Sequence, residues 1–178
     1  MRCYLAGECS MENYLNYAVA GLLLLSTGLL AMLIPGGPIE NRNFSHISPW
    51  VLAIFNIFLT LLGIASLASA YFSVVGSGVA AVVSVICGIS FFLVYALDLG
   101  KIFPISPDKM PRALFVIEVS GLILAIPLTL LSLLEMAMPN RGAATINMSA
   151  TTIISVLVLM VVLGLGIVIF ATKSAMRK

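Results

Sequence analysis

The residues of this chain that could do chemistry are acids set against long apolar runs. Glu118 stands six residues past Arg112, about 9 Å along a helix axis at 1.5 Å per residue. A carboxylate there is costly in hydrocarbon unless it is protonated, paired or wetted, which suits it to holding an ion or a proton. Asp98 closes the preceding apolar run, and Asn56 and Thr60 lie one helical turn apart in an earlier one. Glu118, Asn56, Thr60 and Asp98 are therefore the candidates for an ion or proton pathway. A purely structural reading competes: Glu118 pairs with Lys101, Lys109 or Arg112, and Asn56 makes an interhelical hydrogen bond worth roughly 0.6–2 kcal/mol. Glu135, three residues from the end of its run, is expected to reach the surface.

The elements that must position these groups follow from composition. The stretch 97–118, LDLGKIFPISPDKMPRALFVIE, holds Asp98, Lys101, Asp108, Lys109, Arg112 and Glu118, a large share of the nine basic and seven acidic residues in the chain. Elsewhere the 178 residues are 61% apolar and only 9% charged overall, with a mean hydropathy of +1.17. An ordinary soluble domain is about 25% charged. The pattern predicts an all-α polytopic membrane protein, a single transmembrane domain of five spans at about 17–34, 50–71, 79–97, 112–138 and 151–171. Each is near the ~20 residues needed to cross a bilayer. The first run lacks the basic flank and small-residue cleavage site of a signal peptide, so it is read as a span.

Punctuation between the runs supports this division. Pro35-Gly36-Gly37-Pro38 cannot continue a helix, since proline lacks an amide donor and glycine adds backbone entropy. Pro49-Trp50 opens the second span, with the tryptophan at the depth of an aromatic belt. The loop 35–49 carries Glu40, Arg42 and the lone histidine, His46, which is expected to be an exposed polar residue with no role of its own. Within the second run Asn56, Thr60, Gly63, Leu67 and Ala70 form one small or polar stripe that should face other helices. Gly76, Ala80, Ser84 and Gly88 repeat at four-residue spacing and form a helix-packing ladder, either internal or between subunits. On the fourth run Glu118, Gly121, Ala125, Thr129, Ser132 and Glu135 share an inward face, and Pro127 removes one backbone hydrogen bond.

Several function classes are disfavoured. A net charge of +2, with basic residues scattered over loops, offers no nucleic-acid surface. One histidine excludes haem ligation by paired histidines. Cys3 and Cys9 lack metal or CxxC spacing, and could form a disulfide only in an oxidising compartment, while Cys87 reads as a small packing residue. The catalytic motifs HExxH, GxSxG and the Walker loop are missing, and a non-enzymatic protein with neither cofactor nor metal is expected. Asn147-Met148-Ser149 matches a glycosylation acceptor but abuts a span.

Charge sorting sets an orientation. With five spans, Arg2 and Arg141 fall on one side, and Arg42, Lys101, Lys109, Arg112, Lys173, Arg177 and Lys178 on the other. The positive-inside rule puts the N-terminus outside and the C-terminus in the cytoplasm, in a cell membrane. Two functions fit: a non-enzymatic subunit or scaffold of a membrane complex that binds copies of itself or other subunits through small-residue faces, or an oligomeric ion- or proton-coupled transporter or channel using Glu118. The first is favoured slightly at this level, because polar residues within the spans are few.

Overall fold

The computed structural model describes residues 6–37, 39–138 and 150–176. Within them the chain is helical, with no strand, and forms α1 (Ala6–Met32), α2 (Pro49–Val74), α3 (Gly78–Leu99), α4 (Arg112–Ala137) and α5 (Ala150–Ala175). All five helices contain a segment long and apolar enough to cross a membrane. At 1.5 Å per residue the 26 residues of α2 extend about 39 Å, more than a ~30 Å hydrocarbon core requires.

α1 begins well before the expected residue 17. Glu8, Glu12 and Asn13 are polar, but no proline interrupts 6–16, and adding one residue to an existing helix is cheaper than ending it. α2 starts with Pro49 at its first position, where a missing N–H costs nothing. The turn between α2 and α3 is closed by Gly76 at φ +78°, a left-handed conformation that a side chain would strain. Gly76 is thus a turn residue and not a rung of the packing ladder.

α1 to α4 close into a four-helix ring in which α2 packs on α3, α3 on α4, α4 on α1 and α1 on α2, while α5 lies outside against α2. Val19, Leu23, Phe91, Tyr95, Ala125 and Leu128 fill its centre with no exposed surface. The rest of the ladder splits between neighbours. Ser69 of α2 donates to the Ala80 carbonyl at 2.9 Å and lies 2.8 Å from the Ser84 hydroxyl, whereas Gly88 faces α4 so closely that a Cβ would sit 2.5 Å from Thr129 Oγ1. Ala80, Ser84 and Gly88 all make contacts inside the chain.

Elsewhere the expected inward faces are largely occupied. Glu118, Gly121, Ala125 and Ser132 are buried on α4 and Thr129 half-buried, with its hydroxyl returned to the Ala125 carbonyl. Leu67 of the α2 stripe is half-exposed and, with Asn56, Thr60 and Gly63, borders a space between α2 and its neighbours. Glu135 also departs from expectation, being fully buried: its register on α4 continues the inward face for one more turn. Arg2, Cys3, Arg141, the Asn147 acceptor, Arg177 and Lys178 lie outside the described residues, as does the Cys9 side chain.

One end of the bundle is built from three segments. The 33–48 loop, the 99–111 loop and the end of α5 are tied by Phe44 N–H to the Ala175 carbonyl (3.0 Å), Asn43 N–H to Asp108 Oδ2 (2.8 Å) and the Ser106 hydroxyl to the Asn43 carbonyl (3.2 Å). Phe44 is buried against Leu52 and Ala175 and anchors the first loop. This loop folds inward and buries Glu40 and Arg42, while His46 is exposed as expected.

Candidate functional site

Arg42 is the centre of the site, and the loop that carries it is held in place from both sides. Gly36 turns the chain at φ +85° beneath Ser174, and the Gly36 N–H donates to the Glu40 carbonyl at 3.0 Å. The Arg42 backbone N–H then donates to Glu40 Oε1 at 3.0 Å, fixing acid and base two residues apart as one unit. The guanidinium lies over the Phe44 ring, 5.3 Å from its centroid.

From there Arg42 reaches two acids. Its Nε donates to Glu40 Oε1 at 3.0 Å, its Nη1 to Asp98 Oδ1 at 2.9 Å, and its Nη2 to both Glu40 Oε2 at 2.6 Å and Asp98 Oδ2 at 2.7 Å. Four of five guanidinium donors are used, in the planar fork geometry that only arginine offers. Burial alone would lower the Arg42 pKa, but the hydrogen bonds and charges of Asp98 and Glu40 outweigh it and raise the pKa further above ordinary pH. The cation is permanent.

Glu118 is the third acid and is treated differently. Its Oε1 lies 3.7 Å from Arg42 Nη2, whose two hydrogens are already given to Glu40 and Asp98. Both Glu118 oxygens are buried and receive no N–H or hydroxyl donor, the Tyr95 hydroxyl also lacks a partner, and the Asp98 carboxyl lies close enough to share a hydrogen bond with Glu118 when one of the two is protonated. Glu118, Tyr95, Asp98, Glu40, Arg42 and Asn56 all line one internal cavity of about 50 Å³. Water needs ~10–15 Å³ on this measure, so the space can take a few waters or one small polar group. Three carboxyl groups around one guanidinium leave two negative charges in excess if all ionise, and a buried excess must be neutralised by protons or another cation.

The expected partners of Glu118 are thus corrected. Lys101, Lys109 and Arg112 are exposed, and Arg42, separated from Glu118 by more than seventy residues of sequence, takes their place. Of the other candidates, Asp98 joins Glu118 at the centre. Asn56 borders the same cavity and donates to Thr172 Oγ1 of α5 at 3.1 Å, while Thr60 returns its hydroxyl to the Asn56 carbonyl and lies outside the acidic cavity. Arg42, Glu40 and Tyr95 are the members that sequence reading missed. Glu40 and Arg42 looked like loop charges, and the only hint was their position immediately after the Pro-Gly-Gly-Pro break. Among the described residues no three His, Cys, Asp or Glu side chains are grouped so as to hold a metal ion.

A second, apolar space of about 240 Å³ lies between α1, α2 and α5, lined by residues including Thr27, Thr60, Gly63, Ile64 and Ile167. It shares the walls Leu30, Leu33, Pro35, Asn56 and Leu59 with the acidic cavity.

Fold and site together define a helical bundle with five helices apolar enough for a membrane and a buried arginine–acid centre at one end. The chain belongs to the family described as a domain of unknown function, DUF8051, whose model matches residues 15–147 and so includes all four charged residues of the centre. No curated protein and no solved structure matches it.

Proposed function

We propose that this is an integral, multi-pass protein of the cell membrane, without catalytic activity of its own, that moves an ion or a proton using Glu118 as the binding group. The observation that carries this reading is the Glu118 carboxyl, fully buried, at a small cavity that Glu40, Arg42 and Asp98 also border, and given no hydrogen bond by the arginine beside it. A purely structural ion pair would have used the guanidinium donors, as Glu40 and Asp98 do. A group that must take up and release a cation needs its lone pairs available, and intramembrane acids lining water-accessible space are typical of such pathways.

The alternative role, a subunit or scaffold that binds partners through small-residue faces, has less support. Ala80, Ser84 and Gly88 make their contacts within the chain and Gly76 serves a turn, so the ladder that motivated that reading is engaged internally. For orientation, Arg42, Lys101, Lys109, Arg112 and Lys173 belong to the end that carries the charged centre, which the positive-inside rule assigns to the cytoplasm.

Proteoliposomes enclosing a pH-sensitive dye, with an outward potassium gradient and valinomycin, test the proposal. Wild-type protein is expected to admit protons, and Glu118→Gln to abolish the entry while leaving thermal stability and assembly intact. Equal fluxes in the two proteins, or none in either, would overturn it.

A further inference from the structure

The acidic cavity and the apolar groove share five lining residues and differ in charge, since Glu40, Arg42, Asp98 and Glu118 border the first and no charged residue borders the second. One presents surplus carboxyl groups and the unpartnered Tyr95 hydroxyl, while the other is lined almost entirely by carbon. Along α2 the groove runs from Asn56 to Leu67, eleven residues or about 16 Å, away from the charged end and toward the middle of the bundle. Gly63 leaves it open: a Cβ there would meet nothing closer than 3.9 Å. A polar pocket for a head and an apolar slot for a tail describe an amphiphile lying parallel to the helices.

Charge decides the head. An anionic headgroup would meet Glu40, Asp98 and Glu118 with only Arg42 to offset them, and the Arg42 donors are nearly all committed. A neutral alcohol would bring one donor and no charge. A primary ammonium brings three donors and the missing positive charge, and is compact enough for about 50 Å³.

We infer that the coupled acidic cavity and apolar groove bind a lipophilic primary amine, its ammonium on Glu118 and its alkyl chain along α2 beside Gly63. This inference rests on the proposed cation-binding role of Glu118 and names the substrate class. Charge balance gives the exchange: an alkylammonium entering a protonated site leaves as its counterpart one proton from the Glu118 carboxyl, forming an ammonium–carboxylate pair. Uptake of one species and release of the other make the amine and the proton competitors for a single carboxyl.

The test uses decylamine, with decan-1-ol, decanoate and butylamine as controls, titrated calorimetrically into the full chain in nanodiscs against empty nanodiscs. Decylamine is expected to bind saturably, at least tenfold more tightly than decanol or butylamine, with decanoate not binding, and to release protons to a weakly buffered solution. Glu118→Gln should weaken decylamine at least tenfold. Gly63→Phe, which fills the groove, should do the same while keeping proton entry in proteoliposomes. Ile64→Phe, which borders the groove and not the acidic cavity, is the second groove variant should the first not fold. Decanol binding as tightly as decylamine, decylamine binding unaffected by Glu118→Gln, or no saturable binding would each overturn the inference. Glu118-dependent proton entry without amine binding defeats this inference alone, and Glu118-dependent amine binding without proton entry defeats the transport reading alone.

Discussion

Removing the guanidinium by Arg42→Ala tests whether the charged centre works as one electrostatic unit. Arg42 is 5% exposed and donates to Glu40 and Asp98, themselves 4% and 13% exposed, with closest contacts of 2.6 and 2.7 Å. Deleting one partner of a buried pair costs about 3–5 kcal/mol, because the remaining charge is left without compensation. Here two paired acids and the nearby Glu118 are left together, so the upper part of the range applies. For a chain of this size that is roughly 10–20 °C in the unfolding midpoint, readable from helical circular dichroism of the solubilised protein during heating. Glu118→Gln in the same background removes one of the three stranded carboxyls, and the double variant should recover about 1 kcal/mol or more of the loss. Glu118→Gln alone should shift stability by less than about 1 kcal/mol, since the amide keeps the shape of the acid and can donate to Asp98 where the protonated carboxyl would have shared a hydrogen bond. Additivity of the two substitutions within ~0.5 kcal/mol would mean that the residues do not share a field, and a midpoint for Arg42→Ala within a degree of wild type would refute the centre as a stabilising element.

Two further outcomes follow from the packing and the charge sorting. Gly121→Ala places a Cβ in collision with the ring of the fully buried Tyr95, so it should destabilise by about 1–3 kcal/mol in the same thermal assay, and an unchanged midpoint would show that α3 and α4 separate freely there. With Cys3, Cys9 and Cys87 replaced by serine, Lys109→Cys should be labelled by a membrane-impermeant maleimide only after the cytoplasmic face of membrane vesicles is opened to the reagent, and labelling from outside intact cells would reverse the orientation.

Helix positions were legible because hydrophobic run length and proline punctuation act locally: Pro49, Pro111 and the Pro35–Pro38 break limit their helices wherever the rest of the chain goes. That α1 outruns its apolar run has the same local origin, since polarity marks the edge of an apolar run but does not end a helix. The inward face of α4 could be read from spacing alone. Glu135 could not be assigned to it by depth, because burial depends on which neighbours extend as far as the helix does.

The charged centre divides along the same line. Glu118 and Asp98 stood out in the sequence because acids in or beside apolar runs need an explanation, and that need arises from the solvent whatever the fold. Arg42 did not stand out, for a loop arginine is ordinary until the loop turns inward. Only the tertiary structure brings Arg42 across 56 residues to Asp98, commits its donors, and leaves Glu118 in a 3.7 Å ion pair that carries no hydrogen bond from the arginine. Composition and periodicity thus determined five apolar helices and an unexplained acid; which charges meet that acid, and which of its lone pairs stay free, was decided by long-range packing that no local pattern encodes.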